Sequence, residues 1–367
     1  MNEQIQGHLN KIVIRGFKSI KECEVDLKNI NVLIGANGAG KSNFISIFEM
    51  LQRILSRELA LYAGKKGISP LLYNGKEVSD SISAEFHFDT FQYSYDLEWT
   101  EYDSLLFRGE SLVFNHNSKE LLGESNHRES NALNTLRKNE TKEEIPQIML
   151  NPSWRVYQFH DTSPSSKIKS ENNVSNSVHL ISDARNLAAF LYRLKLVFPK
   201  GYSDILHSTQ LVAPFFDDFV LEPKELNKEQ IILKWKKKGC DDIFNASQLS
   251  DGTLRFICLA TLLLQPSELQ PDVIIIDEPE LGLHPFALTI FSEMLHKAAV
   301  EKQVILATQS AELLNYFTAD DVIVVDYDKD GSRFERKSIE QLAYWFENDY
   351  TLSELWNNNI LGGRFAR

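Results

Sequence analysis

The chain has 367 residues, 43% of them hydrophobic and 25% charged, with a formal charge of -12. That length allows two or three structural units, and an acidic surface excludes a molecule that is basic throughout, so any nucleic-acid contact has to be local. No apolar run approaches the ~20 residues of a transmembrane helix. "MNEQIQGHLN" has neither a basic nor an apolar leader region. Three cysteines, Cys23, Cys240 and Cys258, have no metal-like spacing. A cytoplasmic protein without a membrane partner is expected.

In chain order, Ile12–Ile14 and Ile30–Ile34 read as strands with "RGFKSI" between them, and a helix is expected from Ser42 to about Arg57. Alternating aromatic runs between about 60 and 125, such as "SISAEFHFDTFQYSYDLEW", predict an antiparallel meander. Residues 123–180 are rich in Asn, Ser, Glu and Lys, and "DTSPSSKIKSENNVSNS" reads as a long, mobile exposed loop. In "RNLAAFLYRLKLVF", Leu187, Phe190, Leu191 and Leu194 fall on one helical face. "KWKKKG", with Lys234, Lys236, Lys237 and Lys238 around Trp235, is the one dense basic cluster; it reads as a strand end or hairpin, with a DNA contact as the alternative. "DVIIIDEP", "QVILATQS" and "DVIVVDYD" are short apolar runs ending in polar residues, the pattern of a parallel sheet whose functional side chains lie beyond the strand ends.

The chemistry concentrates in four stretches. "GANGAGKS" fits G-x-x-x-x-G-K-[ST]: Gly35, Gly38 and Gly40 let backbone N–H groups form an anion nest, Lys41 meets the β- and γ-phosphates, and Ser42 holds Mg²⁺. In "VIIIDEPELGLHP" four apolar residues bury a strand that ends at Asp277, a metal-side carboxylate, followed by Glu278, a candidate general base for the attacking water. An Asp-Glu turn closed by Pro279 is the alternative. "SQLSDGTLRFICLATLLL" puts Ser250, Asp251 and Gly252 at the tip of a second apolar helix, either an ordinary N-cap or a second anion-binding end. One nucleotide reaches both helix ends without strain only in a head-to-tail pair, so Ser250 and Gly252 of one copy are expected over the nucleotide held by Lys41 of the other. "LATQS" places Thr308, Gln309 and Ser310 at a third strand end, with Gln309 either a γ-phosphate sensor or a surface residue.

These motifs resemble the ABC-type AAA-family ATPases of the SMC/RecF/OLD group: "IVIRGFKSIKECEVDL" resembles the group's opening, "LSDGT" its signature and "DEPELGLHP" its Walker B and D-loop. The resemblance covers about residues 1–57 and 243–328. "WRVYQFHDTS", "RNLAAFLYRL" and "LVAPFFDDFVLEP" are similar to stand-alone ATPases associated with antiphage defence. The resemblance implies an α/β fold, an ABC-type head with a mainly parallel sheet, an antiparallel β subdomain and a helical or irregular insert. It implies an ATPase using ATP and Mg²⁺. Lys18, Asn37, Gly38, Gly40, Lys41, Ser42 and Asn43 would surround the nucleotide, Ser42, Asp277 and Gln158 the metal, Ser250 and Gly252 a second copy's nucleotide, and Glu278 and Gln309 the water.

The corresponding domains are 1–57, the Walker A lobe; 58–242, a lid or partner-binding insert; and 243–367, the lobe with signature, Walker B, D-loop and switch. Gln309 stands where transporter ATPases carry His, which implies slow turnover. About 40 residues follow Asp328, too few for the nuclease domain of the OLD group, so Asp326 and Asp328 read as a strand end. The expected function is an ATP-dependent head dimer, or a higher homo-oligomer, that switches a companion effector or DNA, in antiphage defence. The alternatives are a transporter's ATPase subunit and an ATP-binding scaffold with little turnover.

Overall fold

The computed structural model describes residues 8–114, 119–123, 127–130 and 154–363. The chain forms two compact units, one of residues 1–156 with 305–367 and the other of residues 157–304. Part of the 123–180 stretch lies outside the described residues.

The first unit begins with the hairpin β1 (Leu9–Phe17) and β2 (Ile20–Asp26), followed by β3 (Ile30–Ile34). Strand β1 extends beyond the expected Ile12–Ile14, and β2 carries no sequence signal, because alternate exposure of "KECEVD" leaves few apolar residues to mark a strand. Helix α1 (Lys41–Leu55) follows the glycine turn, and α2 (Leu59–Lys66) occupies a stretch expected to open the meander. Only eight residues long, with Leu59, Tyr62 and Ala63 buried, α2 carries too little periodicity to register. The meander comprises β4 (Ser81–Phe88), β5 (Phe91–Trp99), β6 (Leu105–Phe114) and β7 (Lys119–Gly123). It joins the hairpin in one antiparallel sheet of order β2-β1-β4-β5-β6-β7. Every second residue of β4, Ile82, Ala84, Phe86 and Phe88, is buried, as a pleated strand with one solvated face requires. Phe48 of α1 meets Phe86 edge-on with ring centroids 6.3 Å apart, so α1 covers the apolar face.

From β8 (Trp154–Tyr157) the chain enters the second unit. There β9 (Asn172–Asn173) precedes α3 (Leu187–Val197) and α4 (Pro199–Val212). The four residues read as one face of α3 are all fully buried. The expected loose loop is locally folded: Thr162, Ser166 and Ile168 are buried, and the Ser166 hydroxyl donates to the Asp161 carbonyl. Short polar side chains closing their own turns hold it, without a periodic apolar signal. Next come β10 (Phe216–Val220), β11 (Gln230–Ile231), β12 (Lys234–Lys237) and β13 (Ile243–Asn245). The basic cluster is strand β12, whose Trp235 stacks on Phe216 and Phe244 while Lys236 and Lys237 stay exposed. Helix α5 (Asp251–Leu264) is apolar nearly all round, because it packs against α4 on one side and α6 (Pro285–Ala298) on another. Strand β14 (Val273–Asp277), between them in sequence, has all five residues buried.

The chain returns through β15 (Gln303–Thr308) to the first unit, with α7 (Ala311–Leu314), β16 (Val322–Asp328), β17 (Gly331–Arg336), α8 (Ile339–Phe346) and α9 (Leu352–Asn357). Strand β16 runs parallel to β3, with Val324 opposite Ile34, and antiparallel to β17. The architecture is α/β, with parallel strands in a mixed sheet beside an antiparallel sheet and helices. Asp326 and Asp328 lie at the end of β16, and Asp328 pairs with Arg333 at 2.7 Å.

Candidate nucleotide site

The glycine turn leaves buried β3 and opens α1. Gly38 and Gly40 take φ of +81° and +115°, conformations that L side chains rarely adopt, so glycine is required at both. A methyl on Gly40 would lie 2.1 Å from Ser332 Oγ, whereas none of the surrounding atoms comes within 4 Å of one on Gly38. The loop is therefore packed at its base and open at its crown, where Asn37 and Gly38 lie. Helix α1 starts at Gly40 with no side-chain cap, which leaves its first-turn N–H groups to an anion. Lys41, buried, donates to the carbonyls of Gly35 at 2.7 Å and Ala36 at 3.1 Å. Ser42, next on the helix, is exposed.

Polar side chains brace this loop. Lys18 Nζ donates to Ser46 Oγ at 2.6 Å, Ser46 donates to the Asn43 carbonyl, Asn43 Nδ2 donates to Ser19 Oγ at 2.6 Å, and Ser19 bonds Ser332 at 2.7 Å. Lys18 sits at the hairpin turn with φ +51°. Burial, then the nearby charge of Lys66, holds its pKa below 10.5. Lys18, Ser19, Asn43, Lys66, Asn74 and Tyr327 line a cleft of about 480 Å³. Two lysines facing one cleft favour an anionic occupant, and Lys66 was not singled out in the sequence because α2 was not. At the end of β15, Thr308 Oγ1 accepts from the Ser310 N–H at 3.0 Å, and Gln309 lies between them.

The second unit assembles the other motifs. Asp277, 5% exposed at the end of β14, accepts on Oδ2 from Gln158 Nε2 at 3.1 Å, and its carbonyl accepts from His160 Nε2 at 3.0 Å. The same His160 nitrogen lies 4.0 Å from Glu278 Oε2. Glu278 has φ +49°, a strained conformation for a residue with a Cβ, and turns the chain directly after the buried strand. Ser250 caps α5, its Oγ accepting from the Thr253 N–H at 3.2 Å. Asp251 pairs with Lys169 at 3.6 Å, which ties the 160–170 segment to the helix tip. Arg255, one turn on, donates to the carbonyls of Phe159 at 3.2 Å, His160 at 2.9 Å and Leu281 at 3.0 Å. One guanidinium thus joins the segment carrying Gln158, the Ser250 helix and the turn after Glu278. His160 and Arg255 were missed in the sequence. The spacing of His160, two residues from Gln158, was the available signal; for Arg255 there was none, since its partners are backbone carbonyls.

The structure thus gathers Lys18, Asn37, Gly38, Gly40, Lys41, Ser42 and Asn43 around one loop. Gln158, Asp277, Glu278, Ser250 and Gly252 gather within the second unit. Among the described residues no group of three or more His, Cys, Asp or Glu forms a metal cluster. The Ser42 hydroxyl in the first unit, and the Asp277 carboxylate and Gln158 amide oxygen in the second, are each hard oxygen donors of the kind Mg²⁺ takes.

Residues 30–315 match a family model described as "AAA domain, putative AbiEii toxin, Type IV TA system". Among curated proteins, the tungstate uptake system ATP-binding protein TupC of Campylobacter jejuni is 30% identical over 130 residues, 32% of this chain and 38% of that one. The match therefore spans well under half of that relative. Among solved structures, a Smc head bound to the C-winged helix domain of ScpA has a TM-score of 0.57 at 16% identity, covering 92% of this chain and 99% of the other. The Smc head with an extended coiled coil bound to the C-terminal domain of ScpA, derived from Pyrococcus furiosus, gives 0.58 at 14% identity, covering 94% and 99%. At such identities the likeness establishes the fold.

Proposed function

Because the chain belongs to the AAA-domain family described as putative AbiEii toxin of Type IV TA systems and has the fold of an SMC-type ATPase head, we propose that it is an ATPase whose ATP-dependent dimer acts as a switch. The observation that carries this reading is the glycine loop itself: open at Gly38, uncapped at Gly40, with the Lys41 ammonium resting on two carbonyls that a triphosphate would replace.

In this reading Lys41 and the α1 amides hold the β- and γ-phosphates, and Lys18 and Asn43 brace the loop. Ser42, Asp277 and Gln158 would hold Mg²⁺, which would supply charge neutralisation for the phosphates. Glu278 orients the attacking water and takes its proton, and His160 fixes the Asp277 carbonyl beside it. Ser250 and Gly252 of a second copy close over the γ-phosphate, and Gln309 senses it. With Gln309 in place of a histidine, turnover is slow. Residues 1–57 and 243–367 form the ATPase lobes, and 58–242 is the lid or partner-binding insert.

A companion protein reads the closed dimer. That a similar Smc head is bound to the C-winged helix domain of ScpA supports a protein partner, and the acidic charge of -12 makes a protein effector a better reader than DNA. The setting is antiphage defence in the cytoplasm, by resemblance. A transporter's ATPase subunit is the second reading, favoured by the 30% identity over 130 residues to a tungstate uptake system ATP-binding protein and disfavoured by Gln309. Phosphate release by the wild type, Lys41→Ala and Glu278→Gln proteins tests the enzyme. Release abolished in both variants is expected, and equal release in all three contradicts it. Activity that rises with DNA would move the reader from protein to DNA.

A further inference from the structure

The peptide group joining Gly35 to Ala36 is held from both sides. Its carbonyl accepts from Lys41 Nζ at 2.7 Å, and its N–H donates to the carbonyl of Gly363 at 3.1 Å. A peptide is planar, so these two bonds restrain one rigid body. Gly363 reaches the loop because it has no side chain: with φ +80°, a methyl there would stand 2.7 Å from Val324 Cγ1 and 2.9 Å from Trp356 Cζ3. Val324 is the β16 residue opposite Ile34, immediately before the glycine loop, and Trp356 is buried on α9. Gly362 precedes it with φ +81° and open space around it. The two glycines thus thread a strand of backbone between a sheet residue and an indole to end on the phosphate loop.

We propose that the Gly362–Gly363 pair is a positioning element of the nucleotide pocket, which holds the 35–36 peptide in place when Lys41 leaves it for phosphate; the proposal rests on the ATP-binding reading above. A nest binds anions through N–H groups, and a carbonyl turned inward would repel them. While Lys41 sits on the Gly35 carbonyl the peptide has two restraints. Once the ammonium moves, the bond to Gly363 still keeps the peptide from rotating, so the loop stays complementary to phosphate.

The test titrates Mg-ATP onto the full-length wild type, Gly363→Ala and Gly362→Ala proteins, reading dissociation constant and stoichiometry separately. Gly363→Ala is expected to weaken binding about tenfold, the scale of one lost net hydrogen bond, with the number of sites per chain unchanged. Gly362→Ala, which meets no atom, is expected to weaken it about threefold through the left-handed backbone alone, and it carries the test if Gly363→Ala does not fold. A merely structural role would lower the number of competent sites and leave the dissociation constant of the remainder intact, and that result overturns the proposal. So does binding within twofold of wild type in both variants. A wild type that binds no Mg-ATP removes the nucleotide reading itself, and this inference with it.

Discussion

A methyl group on the Cα of Gly252 would stand 2.2 Å from the carbonyl oxygen of Gly282. The tip of the Ser250 helix and the turn after Glu278 therefore meet backbone to backbone, a contact that any larger residue would break. Gly252→Ala is expected to push the turn off the helix tip while leaving the glycine loop of the other unit intact. Mg-ATP affinity should stay within about twofold of wild type and ATP-dependent self-association should disappear, as read by titration and sedimentation.

Arg255 binds three carbonyls from two segments. Removing a charged donor from partly buried acceptors costs about 2–4 kcal/mol, so Arg255→Ala should lower unfolding free energy by that amount. Lysine presents a single ammonium and cannot span the same three acceptors, so Arg255→Lys should recover only a fraction. Denaturant unfolding checks both variants.

Much of this was legible in the sequence and some was not. The glycine loop, buried β14 and the strand ends at Asp277 and Thr308 follow from local pattern: apolar runs that stop at polar residues, and glycines where φ is positive. The four buried residues of α3 were visible for the same reason. Strand β2, helix α2 and the 160–170 segment escaped, since exposed strands, single short helices and turns closed by serines have no period. Arg255 and Gly363 escaped for another reason. Each acts on backbone atoms far away in sequence, Arg255 on the Phe159 carbonyl and Gly363 on the Ala36 N–H, and backbone acceptors and donors leave no residue-type signature.

Lys18 makes stability depend on pH. Its folded pKa lies below 10.5, through burial and then Lys66, so between that value and 10.5 the unfolded chain binds more protons than the folded one. The Lys18 contribution to the stability of the nucleotide-free protein should accordingly rise with pH across that window and level off above 10.5. Phosphates beside Lys18 favour its charged form, so Mg-ATP should flatten the rise. It is read as the difference between wild type and Lys18→Met in denaturant unfolding over a pH series, because buried Cys23, Cys258 and Tyr95, whose pKa values burial raises, lower stability over the same range.

Two copies are expected to close on ATP, with Ser250 and Gly252 of one over the nucleotide of the other. The most direct measurement is the solution mass of Glu278→Gln protein, which should bind ATP and not consume it, with and without Mg-ATP. Adding Mg-ATP should shift the mass to that of the dimer or a larger closed oligomer, a shift lost in Ser250→Arg. A mass that stays at one chain while Mg-ATP is demonstrably bound would contradict it.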